Sequence, residues 1–167
     1  MKKIILFISI VFCFSCEEED VIEQNLLEFL IGKVYEAQSD SDYWGIDLSG
    51  DGKLYVQFFE DVNYFDNDTI ALGWNFYNIP VNENNCSFSG AVDVASYGMW
   101  TYINTPSELI IEGIYSQFWE ITKTSKNKIE MRYGYDPMVE GSELYYDGEA
   151  LKLEKISLGD FNKLNCN

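Results

Sequence analysis

The chain has 167 residues, with 28 acidic against 11 basic side chains and a formal charge of -17. A field of that sign repels nucleic acid and anionic membrane surfaces, and no basic stripe with interleaved aromatics offsets it, so DNA or RNA binding is excluded as a reading. Histidine is absent, which removes Ser-His-Asp and Cys-His catalysis, the HExxH zinc site and histidine proton shuttles.

The chain opens with Lys2 and Lys3, an apolar run from Ile4 to Phe14 broken only by Ser9, and then Ser15. That is the charge, apolar, small order of a secretory signal. The run is roughly a dozen residues, short of the about 20 that a membrane-spanning helix needs. Cys13-Phe14-Ser15-Cys16 resembles a bacterial lipobox, with Cys13 where Leu is usual. The resemblance implies cleavage before Cys16 and attachment of diacylglycerol and acyl chains, palmitate among them, to that cysteine. The alternative is an ordinary signal peptide with Cys16 incidental. The block Glu17-Glu18-Glu19-Asp20 must be solvated. It resembles the acidic export signal of Bacteroidetes-type surface lipoproteins, which implies an outer-membrane, cell-surface address; a plain spacer on a periplasmic lipoprotein is the other reading.

Removing residues 1–15 leaves 152 residues and, with Lys2 and Lys3 gone, a formal charge of -19. That length suits one domain with its own core. The expected organisation is a signal peptide at 1–15, an acidic lipidated tether at 16–24, and a β domain at 25–167. Leu26, Leu27, Leu30 and Ile31 fall at helical spacing within residues 23–31, and Gly32 ends that short helix.

From Lys33 onward β-branched and aromatic residues recur between turn signals, the pattern of an all-β sandwich or barrel. Strands are expected at 33–38, 43–48, 53–59, 96–103, 108–112, 115–123, 128–135 and 149–156. Leu54, Val56 and Phe58 share one face, as do Ile129, Met131, Tyr133 and Tyr135. Ser49-Gly50-Asp51-Gly52 supplies a hairpin turn. Residues 60–95, with Pro80 and the run Asn82-Glu83-Asn84-Asn85, read as a long insertion in which Ile70 to Tyr77 offer one further strand.

Leu30-Ile31-Gly32-Lys33-Val34-Tyr35, the Ile46 to Leu54 hairpin, Gly98-Met99-Trp100, Leu109-Ile110-Ile111 and Trp119-Glu120-Ile121 together resemble the lipocalin-like domains of Bacteroidetes-type surface lipoproteins. Lipocalins place Trp two residues after the first Gly, where this chain has Val34 and then Tyr35. The resemblance covers roughly Leu30 to Ile156. It implies an eight-stranded antiparallel up-and-down barrel closed at one end by the N-terminal helix, with a cup for a small apolar ligand. It brings no catalytic residues.

Asp47-x-Ser49-x-Asp51-Gly52 matches the opening of a calcium loop, but its twelfth position is Phe58 instead of Glu, and a hairpin turn accounts for it. Glu60, Asp61, Asp66 and Asp68 gather carboxylates that a solvated loop explains as well as a cation or sugar does. No metal, cofactor or catalytic residue is assigned. A glycosidase carboxylate pair is the distant third option, with no pair singled out. Asp68-Thr69-Ile70 resembles the tripeptide glycosylated on its hydroxyl in exported proteins of this bacterial group.

The aromatics are the richest signal, because Tyr and Trp join a flat apolar face to a polar handle. Trp74, Tyr77, Trp100, Trp119 and Tyr133 are the expected ligand-binding residues, with Trp74 or Trp100 at an accessible surface. Barrel filling is the competing role for Trp100 and Trp119. Cys86 and Cys166 are the remaining thiols; their polar neighbours suggest exposure, and outside the cytoplasm they are expected to pair, closing a loop of about 80 residues. The leading reading is a lipid-anchored, non-enzymatic binding module for a glycan or small apolar ligand. The alternative is an envelope interaction or inhibitor protein that meets another protein through its acidic surface.

Overall fold

The computed structural model of the chain describes residues 24–38, 52–62, 70–81, 83–92, 100–113, 117–135 and 145–166. The signal, the tether as far as residue 23 and the expected strand 43–48 lie outside them. Helix α1 spans Leu26–Leu30, inside the expected segment. The Asn25 side chain accepts the Glu28 backbone N–H at 3.0 Å, satisfying one of the donors that a helix start leaves bare. Gly32, at φ 74°, then turns the chain in the left-handed region that glycine adopts without steric cost. Five residues do not hold a helix in water. Burial of Leu26, Leu27 and Leu30 does.

Among the described residues ten strands follow: β1 Val34–Ala37, β2 Lys53–Val62, β3 Ile70–Ile79, β4 Ser87–Val92, β5 Trp100–Asn104, β6 Glu108–Glu112, β7 Gln117–Lys123, β8 Lys128–Tyr135, β9 Tyr145–Tyr146 and β10 Leu151–Ile156. Helix α2, Leu158–Lys163, closes the described chain. Every described pairing is antiparallel, in the order β4-β3-β2-β1-β10-β8-β7-β6-β5, with β9 attached to β8.

The all-β antiparallel expectation holds, whereas the eight-strand count does not. The segment expected as a long insertion supplies β3 and β4, which extend the sheet from β2. Glu83, Asn84 and Asn85 of its Asn-rich run lie between these two strands. β4 was illegible because most of it is exposed and it contains Ser87, Ser89 and Gly90, residues that give no apolar alternation. A two-residue β9 is shorter than periodicity can register.

The sheet curls into a half-barrel. β3 and β7 stand five steps apart in strand order, which in a flat sheet would separate them by about 24 Å, yet the rings of Trp74 and Trp119 lie 5.1 Å apart. The concave side holds Tyr35, Leu54, Val56, Phe58, Leu72, Trp74, Phe76, Leu109, Ile111, Trp119, Ile121, Ile129, Met131, Leu151 and Leu153, together with the buried face of α1. Each such side chain contributes about 1.5–3 kcal/mol of burial. Backbone bonds tie α1 to both walls: Leu26 N–H donates to the Thr105 carbonyl (2.8 Å) and Gly32 N–H to the Phe58 carbonyl (3.0 Å). One end of the curl is thereby covered.

A second apolar layer lies on the convex side. Val34, Tyr55, Cys86 and Phe161 are buried there against Tyr77, Ile79, Ile156, Leu164 and Cys166. α2 carries Phe161 into it, 5.9 Å from the Tyr55 ring and 5.2 Å from the Tyr77 ring. Ser157 caps this helix by accepting the Asp160 N–H at 3.0 Å. The Ser157-x-x-Asp160 spacing was the missed signal for α2.

The Cys86–Cys166 disulfide is present, with the α-carbons 4.5 Å apart and 80 residues between them in sequence. Its setting differs from the exposed one expected, since Cys86 is only 6% exposed and belongs to this second layer. Replacing Cys86 by Ser is expected to lower unfolding stability by about 4 kcal/mol if chain entropy governs. Urea denaturation without reductant measures this, and adding reductant should bring the wild-type midpoint down to that of the variant.

Candidate ligand-binding site

Period two along β8 sends Met131, Tyr133 and Tyr135 to the concave face, and pairing brings partners beside them: Trp119 of β7 opposite Tyr133, and Gln117 and Tyr145 opposite Tyr135. From the facing wall β3 contributes Trp74. Ring contacts run continuously from Tyr35 to Phe58 (5.7 Å), Trp74 (6.1 Å), Trp119 (5.1 Å), Tyr133 (4.9 Å) and Tyr135 (5.2 Å). Exposure rises along this row: Trp74 is 0% exposed, Trp119 7%, Tyr135 39% and Tyr145 65%. The row therefore starts in the core and ends at a rim where aromatic faces meet solvent.

The polar handles differ along the row. At the rim the Tyr133 hydroxyl donates to the Tyr135 hydroxyl at 3.3 Å. Burial, followed by that hydrogen bond and by the charges of Tyr135 and Asp147, pushes the Tyr133 phenol well above its ordinary range. Inside, the Tyr35 hydroxyl and the Trp74 indole Nε1–H have no hydrogen-bond partner among the described residues. Both side chains pack against Phe58. A buried donor without an acceptor costs about 1–3 kcal/mol. The row thus presents flat aromatic faces and hydroxyls at its rim, with two unpartnered donors buried in the core at its other end.

On the convex side Phe118 packs on Tyr146 (5.5 Å), and the Arg132 guanidinium sits 5.2 Å from the Tyr146 ring centre. Gly134 lies between them in register. A β-carbon there would collide with the Tyr145 carbonyl oxygen and meet the Phe118 ring at 2.7 Å. Only a missing side chain lets β9 close on β8 and present Tyr145.

Of the five expected residues, the structure brings Trp74, Trp119 and Tyr133 together. Trp74 is fully buried instead of surface-accessible, because β3 is an interior wall of the sheet and not part of a loop. Tyr77 lies on the opposite face, an odd number of residues from Trp74. It packs on Phe88 and Phe161 and donates its hydroxyl to Gln57 Oε1 at 3.2 Å. The backbone of Trp100 starts β5, and its side chain is outside what the structure describes. Tyr35, Phe58, Tyr135 and Tyr145 were missed as site residues. For Tyr135 the signal was available, since it shares a strand face with Tyr133. The Asp47–Asp51 loop and Asp66, Asp68 and Thr69 lie outside the described residues. Among those described, no three or more Cys, Asp or Glu side chains gather as a metal site.

Tyr35→Phe is expected to be neutral or stabilising by about 1 kcal/mol in thermal unfolding, because it deletes an unpartnered hydroxyl while keeping the ring. Burial raises the Tyr35 pKa above its ordinary 10.0. Its phenol is neutral in both states below that pH; above it the unfolded chain gains by ionising, so stability falls as pH climbs past 10.0. Tyr35→Phe should weaken that alkaline fall, as pH-dependent melting reads. Gly134→Ala should detach β9 and lower the melting temperature more than Gly90→Ala, where an added β-carbon meets nothing within 4 Å.

No family model, curated protein or solved structure matches the chain, and the chemistry of the aromatic row stands on its own geometry.

Proposed function

We propose that the protein is an exported lipoprotein, lipidated on Cys16 and displayed at the outer membrane, whose half-barrel serves as a non-enzymatic binding module for a glycan or small apolar ligand. The observation that carries the reading is the aromatic row that climbs from two unused donors in the core to exposed Tyr135 and Tyr145. Tyrosine faces with hydroxyl edges stack on sugar rings or line an apolar cup. The Trp74 Nε1–H and Tyr35 hydroxyl would meet an acceptor oxygen of whatever enters deepest. A lipocalin-like barrel is the finer reading of the fold, supported by the curl of the antiparallel sheet and by α1 covering one end. The charge, apolar, small order of residues 1–15 and the Cys13–Cys16 motif support the anchor.

The dense packing of Trp74, Phe58, Leu54 and Met131 on the concave side favours a second reading, in which the filled sheet is a scaffold and its acidic exterior meets a protein partner. Tryptophan fluorescence separates the two, because Trp119 sits where the row nears the mouth. Titration with glycans, fatty acids and haem is expected to give a saturable change for one class, and Tyr135→Ala or Tyr145→Ala to weaken that affinity about three- to tenfold. No response to any class would leave the partner-protein reading. For the anchor, a clickable fatty acid should label the wild-type chain in cells and not Cys16→Ser; equal labelling of both would place the lipid elsewhere.

A further inference from the structure

We propose that the α1-covered end of the sheet carries an oxyanion-binding groove, in which the ammonium groups of Lys33 and Lys155 hold a phosphate or sulfate group borne on a small organic molecule. The site is separate from the aromatic row and independent of that row's ligand.

The groove has a volume of about 470 Å³ and is lined by Gly32, Lys33, Val34, Asn127, Lys155, Ile156, Ser157 and Leu158, a size suited to a small ligand. Its walls come from three elements that the fold brings together: the α1–β1 turn, the β7–β8 turn and the β10–α2 junction. The Lys155 backbone N–H donates to the Asn127 carbonyl at 2.7 Å, joining two of them.

The charge pattern runs against the rest of the molecule. Burial first, and then the cations Lys155 and Lys123, push the Lys33 pKa down; in a chain with 28 carboxylates, the described charges bearing on it are both positive. Lys33 Nζ donates to the Phe29 carbonyl and sits 3.4 Å from the centre of the Phe29 ring; Lys123 Nζ lies 4.3 Å from the same centre. The ring and the carbonyl preset the direction of the Lys33 side chain. Two described carboxylates next to the groove are already engaged, Glu154 with Lys128 at 3.4 Å and Asp160 with Lys163 at 2.7 Å and the Ser157 hydroxyl at 2.6 Å. Among the described residues no acid pairs with Lys33 or Lys155. Gathering like charges costs free energy, and an oxyanion seated between them would reverse the sign of that term. The chain's overall charge opposes approach, but within a Debye length of about 8 Å the local lysines dominate.

Apolar residues complete the site. Leu158 is 49% exposed at the edge of the groove, while Val34 is buried in the convex layer with Ile156 packed against it. Bare lysines would suit a free ion, whereas the Leu158 side chain beside them suits the organic part of a phosphate or sulfate ester.

The test is an NMR titration of the full chain carrying Cys16→Ser, with inorganic phosphate and phenyl phosphate as probes and phenol as the uncharged control. Saturable shifts are expected at the amides of Gly32, Asn127, Ile156 and Ser157, tighter for phenyl phosphate than for phosphate and absent with phenol. The double variant Lys33→Gln, Lys155→Gln should weaken binding at least tenfold with its remaining spectrum unchanged. Lys53→Gln, which breaks the Glu36 pair, should leave affinity as it is and so controls for net charge. Absence of saturable shifts, or equal affinity in the double variant and the wild type, would overturn the proposal. Binding to phosphatidylglycerol vesicles with none to phenyl phosphate would overturn the small-molecule source.

Discussion

Contact between the two walls of the sheet, through Trp74 and Trp119, is the interaction on which the architecture depends. Along the described path of nine strands every neighbouring pair is antiparallel, so its two ends, β4 and β5, run in the same direction. Side chains draw the walls together across the curl, with Trp74 seated between Phe58 and Trp119. α1 acts as a brace across one end, bonded to Thr105 on one wall and, through the turn that follows it, to Phe58 on the other.

The same wall carries load on both faces. β2 buries Leu54, Val56 and Phe58 on the concave side and Tyr55 on the convex side, where α2 and the disulfide cover it. A strand buried twice is constrained twice in register, because a one-residue slip would place each face's side chains in the other layer. That constraint also fixes Trp74, which pairs with Phe58 across the ladder.

Legibility in the sequence followed the strength of the physical pattern. β6 and β8 fall where they were expected because Leu109-Ile110-Ile111 is an apolar run bounded by Glu108 and Glu112, and Ile129 and Met131 alternate against Lys128, Glu130 and Arg132. β3 was visible as Ile70 to Tyr77, but its place as an interior wall was not, since pairing with β2 and β4 is a long-range choice that no local period encodes. β4 and α2 were hidden for different reasons. The first exposes most of its residues, and the second is one short turn whose capping pair is ordinary in loops. The partnership of Cys86 and Cys166 was readable from chemistry alone, while the burial of Cys86 depended on α2, which was not foreseen. The aromatic row was half readable: the strand period gives Tyr133 beside Tyr135, but bringing Trp74 against Trp119 requires the curl.

The disulfide divides the chain into two classes of covalent security. Residues 86 to 166 form a closed loop that contains all of β4 to β10 and α2, so a protease nick at one place within it leaves both pieces tied to each other. α1 and β1 to β3 lie outside that loop. Cleavage between β1 and β2 would leave α1 and β1 held by ladders to β2 and β10, by the bonds of Leu26 to Thr105 and Gly32 to Phe58, and by the packing of Leu26, Leu27, Leu30 and Tyr35. In a milieu rich in proteases, the lifetime of the folded protein would then be set by the segment before Cys86, about half of the chain, which no covalent link closes.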